Sequence, residues 1–156
     1  MLVEPPKPKK EEEEPKTKNP NDFIGKKIIL ENIFYDYNKA YIRPEAEIDL
    51  DKLARIMKAY PSLVIELASH TDSRGSRGYN NNLSQSRADS AVRYLMVQGI
   101  SRERLIAKGY GESEPIVECR DRKDCLETDH QQNRRTEFRI LRFEENVDII
   151  DLFKRS

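Results

Sequence analysis

The residues best suited to chemistry lie between His70 and Ala88, in the run HTDSRGSRGYNNNLSQSRA. Within this run Asp72 and Arg87 stand 15 positions apart (87 − 72). A carboxylate accepts hydrogen bonds from a cation, and a guanidinium can donate two parallel bonds to a carboxylate. Two hypotheses follow: the two side chains hold a charged ligand, or they pair with each other as a structural salt bridge.

The same run leaves a predicted strand, crosses a loop that contains two glycines and enters a predicted helix. We therefore expect Asp72 at the carboxyl edge of the strand. Leu83 and Arg87 are related as i and i+4, so they share one face of the helix. With Leu83 directed toward the sheet, Arg87 would lie at the margin of the buried face and could reach back to the strand end.

Residue patterning predicts the elements that position this run. Strands are predicted at Lys27–Tyr37, Leu63–His70, Leu105–Tyr110 and Thr136–Phe143. One helix is predicted from Pro44 until Pro61 stops it, a second from about Tyr79 to Gln98, and a short third one within residues 144–156. This order predicts the α/β (α+β) class: a two-layer sandwich with a small mixed sheet covered by helices, its first strands joined by right-handed crossovers.

Each of the two long helices has a predicted apolar face at helical spacing. The first face comprises Ile48, Leu53, Ile56 and Met57, and the second comprises Leu83, Ala88, Ala91, Val92 and Leu95. On the second strand we expect Leu63, Ile65 and Leu67 to share one side of the sheet.

The composition separates a polar N-terminal segment from the rest of the 156 residues. Residues 1–22 hold five of the eight prolines and a run of four glutamates, which predicts a disordered linker. The folded domain is predicted at residues 23–143, with 144–156 as a C-terminal tail. The 28 basic and 28 acidic residues balance, so neither nucleic acid nor an anionic membrane is a predicted partner. Without an apolar leader or a span of transmembrane length, we expect an excised part of a larger protein.

Cys119 and Cys125 are close together in a polar stretch. In an oxidising compartment they would form a short disulfide, worth about 2 kcal/mol on the chain-entropy model. The alternative is a pair of free thiols. A zinc site is less favoured, because His70 and His130 do not complete a ligand spacing.

Catalysis is not predicted. His70, Asp72 and Ser73 are the ingredients of a nucleophilic triad, but such groups must converge from separate elements and these are nearly consecutive. The pair Gly109 and Gly111 lacks the third glycine and the following helix of a dinucleotide site. We expect no enzyme activity, no cofactor and no metal ion.

The run resembles the OmpA-like peptidoglycan-binding domain, found at the C-termini of outer-membrane protein A, peptidoglycan-associated lipoprotein and the stator protein MotB. The family pattern has a histidine and an aspartate leaving a strand, then an asparagine, then L-S-x-x-R-A on a helix. The matching residues here are His70, Asp72, Asn80, Leu83, Ser84, Arg87 and Ala88. Two outlying pieces also match: Phe34–Asp36 with Asn38, and the Asn133-Arg134-Arg135 run before the last strand.

The resemblance implies that the domain holds diaminopimelate, a stem-peptide residue whose distal centre carries an amine and a carboxylate. Asp72 would accept from the ammonium and Arg87 would hold the carboxylate. The implied site also includes Thr71, Leu83, Asn80, Asp36, Asn38 and Arg135. Such a domain anchors an envelope protein to the wall from the periplasm, with upstream sequence attached to the outer membrane.

Several of these residues have a plain structural alternative. Asp36 and Asn38 could make a turn, Asn80 could cap the helix, and Arg135 could be solvated. Arg74 and Arg77 are predicted to lie on the loop and to tune affinity only.

Other functions stay open at this point. The paired cysteines and the ending of the domain resemble a lipoprotein subgroup associated with type IX secretion. The alternative function is a protein–protein scaffold in an envelope secretion or motor complex, with a degenerate wall site. A wall hydrolase is the least favoured.

Overall fold

Four strands form one mixed sheet in the computed structural model, which describes residues 20–30, 42, 44–119 and 125–156. The strands are β1 (Lys27–Ile29), β2 (Val64–His70), β3 (Leu105–Gly111) and β4 (Thr136–Arg142). Their order is β1-β4-β2-β3, with β2 parallel to β3 and β4 antiparallel to both of its neighbours.

The helices of the described residues are α1 (Pro44–Ala59), α2 (Arg77–Val97), α3 (Glu127–Asn133) and α4 (Ile149–Arg155). None of them, within those ranges, is long and apolar enough to cross a membrane. The mixed sheet with its helices confirms the predicted α/β class. The predicted final helix is present as α4. Helix α3 was not predicted, since it lies in the stretch expected to be a polar loop.

The strand predictions agree with the structure to within one residue at most ends. The exception is the first strand, predicted at Lys27–Tyr37: β1 comprises Lys27–Ile29, and residues 31–37 lie outside the described part of the chain. The handedness of the crossovers stays a prediction.

The predicted apolar face of α1 needs one correction. Leu53, Ile56 and Met57 are buried as expected, but Ile48 is 67% exposed. The buried face instead continues through Leu50, which precedes Leu53 by three positions. Ile48 is two positions from Leu50, and two steps of 100° place it on the opposite side of the helix.

Helix α2 begins two residues earlier than predicted, because Ser76 caps it. The Ser76 hydroxyl accepts a hydrogen bond from the backbone N–H of Tyr79 at 3.1 Å, which satisfies one of the donors that a helix start leaves open. The helix ends at Val97, and Gly99 follows with a φ of +103°, a conformation that glycine adopts without strain.

The predicted buried face of α2 is correct except at Leu83, because Ala88, Ala91, Val92 and Leu95 are buried as expected. Ser84, Arg87 and Ala88 are buried, whereas Leu83 is only half-buried. The small Ser84 allows a close approach of β3: a Cβ built on Gly109 would lie 2.2 Å from the backbone nitrogen of Gln85. This close packing fixes the position of α2 over the carboxyl ends of β2 and β3.

The apolar core lies on one side of the sheet and is closed by α4. Leu63, Ile65 and Leu67 are all fully buried, as predicted. The ring of Phe153 packs edge-on against Phe138 at a centroid distance of 5.2 Å. Residues of the predicted tail therefore contribute to the core of the domain.

The other side of the sheet carries a polar network. The His70 Nε2 atom lies 2.9 Å from Glu137 Oε1, and the His70 ring stacks on Tyr110. Tyr110 donates its hydroxyl to Glu66 at 2.7 Å. Burial, and then this bond to Glu66, raises the pKa of Tyr110 to about 12. The histidine that precedes Asp72 is thus held on the face opposite to the apolar core.

Candidate functional site

Asp72 and Arg87 line the same small cavity, between the end of β2 and the first half of α2. Asp72 is 3% exposed and Arg87 is 1% exposed. The cavity has a volume of about 10 Å³, close to the space that one water molecule needs. Its described lining consists of Thr71, Asp72, Arg74, Tyr79, Asn80, Leu83, Arg87 and Arg134.

Two other arginines contact the Asp72 carboxylate. Arg74 donates to Oδ1 from its backbone N–H (2.9 Å) and from Nε (3.2 Å), and to Oδ2 from Nη2 (2.8 Å). Arg134 donates to Oδ2 from Nη1 at 2.8 Å. Among the described residues these are the ion pairs of Asp72, so the direct Asp72–Arg87 bridge of the structural hypothesis is not formed.

These bonds decide the charge state of Asp72. Burial alone would raise the pKa of its carboxyl group, because it disfavours the charged form. The hydrogen bonds from Arg74 and Arg134 outweigh burial and lower this pKa from 3.8 to about 2. Asp72 is therefore an anion at neutral pH. The bond to Asp72 in turn raises the pKa of the Arg74 guanidinium.

Glu127, the first residue of α3, joins the same two arginines from the solvent side. Arg74 Nη1 donates to Glu127 Oε2 at 3.1 Å, and Arg134 Nη2 donates to Glu127 Oε1 at 2.9 Å. The bond from Arg134 lowers the pKa of Glu127. Asp72, Arg74, Glu127 and Arg134 thus form a closed ring of alternating charges, which we call the charge ring.

The remaining predicted residues of this cavity are close to Asp72. Asn80 is 2% exposed and donates its amide to the backbone carbonyl of Asp72 at 3.3 Å. It is not the helix cap, since that position belongs to Ser76. Thr71 and Leu83 both line the cavity. The structure therefore brings together Thr71, Asp72, Asn80, Leu83 and Arg87.

Arg135 lies elsewhere. Its Nη2 atom donates to the backbone carbonyl of Glu114 at 2.8 Å, and its Nε atom is 3.6 Å from Glu137. The guanidinium that reaches Asp72 belongs to the preceding residue, Arg134. Asp36 and Asn38, the two other predicted residues, lie outside the described part of the chain.

Cys119 and Cys125 form the predicted disulfide. It closes a short loop directly before α3, two residues ahead of Glu127. Asn133, at the end of α3, accepts from the backbone N–H groups of Ile116 and Val117, each at 2.9 Å. The disulfide and Asn133 together hold α3, and with it Glu127, beside the cavity.

One group of described residues has the donor types of a metal site. Donor atoms of His70, Glu114 and Glu137 lie within 4.8 Å of one another. The ammonium of Lys27 is already 3.2 Å from Glu114, and Arg135 is beside Glu137. These fixed cations neutralise the carboxylates, so the cluster is better explained as an ion-pair network than as a site for a metal cation.

A wide polar groove runs along the first half of α2, next to the cavity. Its volume is about 1090 Å³, and Thr71 lines both spaces. Amide and hydroxyl side chains contribute to its described wall, among them Ser73, Asn81, Asn82, Gln85 and Ser113.

Sequence reasoning missed the contacts that Arg74, Glu127 and Arg134 make around Asp72. Arg74 was expected only to tune affinity from the loop, and the other two were not predicted to belong to the site. Arg74 had a local signal, because an aspartate commonly bonds the backbone N–H two residues later. Arg134 belongs to the Asn133-Arg134-Arg135 run that matches the family pattern, but its neighbour Arg135 was the residue predicted to belong to the site. Glu127 had no signal in the linear sequence, since it acts through a helix that was not predicted.

Comparisons with known proteins identify the family of the domain. The model of the OmpA family matches residues 34–125. Outer membrane porin F of Pseudomonas fluorescens is 37% identical over 106 residues, which cover 68% of this chain and 31% of that protein. Peptidoglycan-associated lipoprotein of Pseudomonas putida is 36% identical over 110 residues, which cover 70% of this chain and 63% of that protein. The chain thus spans less than two thirds of either relative.

A solved structure supports the same fold. The crystal structure of the peptidoglycan-associated lipoprotein from Burkholderia pseudomallei superposes with a TM-score of 0.60 at 24% identity, covering 70% of this chain and 87% of that one. The family model matches more than half of the chain, including β2, α2 and β3. The chain belongs to the OmpA family.

Proposed function

We propose that this domain binds peptidoglycan non-covalently through the diaminopimelate residue of the stem peptide, and so anchors an envelope protein or complex to the cell wall. The observation that carries the proposal is that a buried anion, Asp72, and a buried cation, Arg87, line one cavity without bonding directly to each other. The role is structural, without catalysis. Relatives named as a peptidoglycan-associated lipoprotein and an outer membrane porin support it.

The chemistry of the ligand matches these two groups. The distal centre of diaminopimelate carries an ammonium and a carboxylate on one carbon atom. Asp72 accepts hydrogen bonds from the ammonium, and the Arg87 guanidinium donates to the carboxylate. Asn80 steadies the backbone of Asp72, and Thr71 and Leu83 complete the wall of the pocket. Asp36 and Asn38 stay predicted members of the site, whereas the guanidinium of Arg135 contacts Glu114 and Glu137 instead of this cavity.

The polar groove beside the cavity leaves room for the rest of the polymer. A stem peptide held at its diaminopimelate side chain must continue into solvent. The amide and hydroxyl wall of the groove suits peptide and sugar groups without requiring a strict sequence.

The domain acts from the periplasm in this proposal, as part of a longer protein attached to the outer membrane. The predicted linker, residues 1–22, serves as the tether, although its last residues belong to a short 3-10 helix, Pro20–Phe23. Residues 23–143 serve as the binding domain, and residues 144–156 complete its core through α4. A tether raises the effective concentration of the domain near the wall. A modest affinity for each stem peptide is therefore enough for anchoring. Membership of the type IX secretion subgroup stays a prediction.

Sedimentation with insoluble peptidoglycan tests the proposal. Asp72→Ala and Arg87→Ala should each lose binding by roughly 30-fold or more, because each removes one partner of a buried charge interaction worth about 2 kcal/mol. Two exposed residues give matched controls, Asp22→Ala and Arg93→Ala, which should bind like the unchanged protein. Circular dichroism checks that all four variants are folded. Retained binding in both site variants would remove the proposal.

One observation favours a second function. The cavity holds about one water molecule, and four hydrogen bonds already satisfy Asp72. A permanently closed site would make the domain a protein–protein scaffold of an envelope complex with a degenerate wall site. Calorimetric titration with a stem peptide distinguishes the two functions, since a scaffold gives no heat of binding.

A further inference from the structure

We propose that Arg74 is a displaceable internal ligand of Asp72, and that Glu127 retains its guanidinium when the stem peptide binds. This inference rests on the proposed function and adds two residues, Arg74 and Glu127, to those that set the affinity. The roles of Arg74 and Glu127 follow from the geometry of the charge ring.

The Asp72 carboxylate has no room for another donor. A carboxylate offers about four lone-pair positions. Four N–H groups occupy them: the backbone N–H, Nε and Nη2 of Arg74, and Nη1 of Arg134. A ligand ammonium can reach Asp72 only if at least one of these donors leaves.

Arg74 is the donor that can leave at the lower cost. Its side chain is 30% exposed, against 13% for Arg134. It stands on the loop between β2 and α2, directly before Gly75, whose φ is +93°. Arg134 is fixed at the junction of α3 and β4, where its backbone N–H donates to His130. The backbone N–H of Arg74 can stay on Oδ1 while its side chain moves.

Glu127 gives the displaced guanidinium a partner. Arg74 Nη1 already donates to Glu127 Oε2, and the Glu127 side chain is 64% exposed, so it can follow the movement. Arg74 therefore exchanges two bonds to Asp72 for the ligand ammonium without losing its contact with a carboxylate. This keeps the cost of opening low.

A double-mutant cycle with the unmodified domain tests the inference. The probe is a synthetic stem tripeptide ending in meso-diaminopimelate, titrated by calorimetry. Arg74→Ala should tighten binding by roughly fivefold, because a partly exposed internal competitor is removed. Glu127→Gln should weaken binding by a few-fold in the parent, since the displaced Arg74 guanidinium then lacks the Glu127 carboxylate that would retain it. In the Arg74→Ala background the same change should have no effect.

Arg93→Ala is the matched control, because it removes one positive charge from an exposed position of α2 that does not line the cavity. It should leave the affinity within twofold. Arg74→Gln provides a second variant of similar length in case Arg74→Ala unfolds. If the parent binds and both Arg74 variants bind equally or more weakly, the inference is overturned while the proposed function stands. If the folded parent gives no binding at all, the proposed function itself fails.

Discussion

At the scale of single residues, the central feature is a buried carboxylate whose charge is maintained by two arginines. Asp72 is 3% exposed, and such a group would ordinarily be costly to ionise. The bonds from Arg74 and Arg134 compensate, so the folded protein holds a permanent anion at the end of β2. The same anion that contributes to stability is the one that we propose accepts the ligand ammonium.

The lowered pKa of Asp72 predicts acid sensitivity. A carboxyl whose pKa is lower in the folded than in the unfolded state stabilises the fold above the unfolded pKa, here 3.8, and loses that contribution as the pH falls through about 2. The difference of 1.8 pKa units (3.8 − 2) corresponds to roughly 2 kcal/mol. Urea unfolding of the parent and of Asp72→Asn should therefore show a stability difference larger at pH 6 than at pH 2 by this amount.

The comparison with Asp72→Asn is needed because Glu127 and Glu137 also have lowered pKa values and contribute to acid unfolding in both proteins. A stability difference that does not change between the two pH values would show that the arginines do not hold Asp72 as described.

The sequence was enough to predict that Asp72 and Arg87 lie near each other, but not which residues contact Asp72. The spacing of Asp72, Leu83 and Arg87 was enough to place the pair on neighbouring elements. Which arginines touch Asp72 depends on the path of a loop and on where α3 ends. Those positions follow from tertiary packing, which local patterns do not encode.

At the scale of elements, the contact between α2 and β3 positions the site. The side chain of Ser84 is small enough for this interface, and its hydroxyl accepts a hydrogen bond from the backbone N–H of Gly111 at 2.8 Å. Gln85 reaches the same strand, accepting from the N–H of Gly109 at 2.9 Å. Since Arg87 follows on the same helix, its depth in the cavity depends on this close approach.

Substitution of Gly109 tests the contact. An added methyl group would overlap the backbone of Gln85, so Gly109→Ala should destabilise the fold by about 3 kcal/mol and weaken ligand binding. Gly78→Ala is the matched control, because no described residue outside its own helix turn lies within 4 Å of its Cβ position in the first turn of α2. The control should change stability by less than about 1 kcal/mol, on the stabilising side. Equal thermal unfolding midpoints for the two variants would contradict the close packing.

Element predictions succeeded where an apolar pattern existed. Helix α2 and strands β2 to β4 were predicted because burial imposes a period on their sequences. Helix α3 was missed because ETDHQQN has no apolar stripe, and within it only His130 and Asn133 are buried. Covalent and polar contacts hold it instead. The disulfide precedes it, and the Asp129 carboxylate accepts a hydrogen bond from the Leu126 N–H at 3.0 Å. At its end, the Asn133 side chain accepts a hydrogen bond from the backbone N–H of Ile116.

At the scale of the whole molecule, the apolar core that stabilises the fold is separate from the polar end of the sheet where we propose that the ligand binds. The apolar core lies under α1, α2 and α4, where Leu50, Leu95 and Ile149 are fully buried. The charge ring and the groove lie at the carboxyl ends of β2 and β3, where side chains can change partners without opening the core. This division lets a polar site rearrange while the sheet stays fixed.

The class of the fold and the place of the site were predictable because the order of strands and helices leaves few topologies. The contribution of α4 to the core was harder to predict. The sequence showed that α4 has apolar residues, but it did not show that Phe153 packs on Phe138 of the sheet.

The most direct test of the central claim changes the ligand rather than the protein. Two stem peptides that differ only at the third residue, meso-diaminopimelate in one and lysine in the other, carry the same side-chain amine, but only the first has the distal carboxylate. Calorimetry should show binding of the diaminopimelate peptide and at least roughly tenfold weaker binding of the lysine peptide, because only the former satisfies both Asp72 and Arg87. Equal affinity for the two peptides would contradict recognition of the zwitterion by this pair of residues.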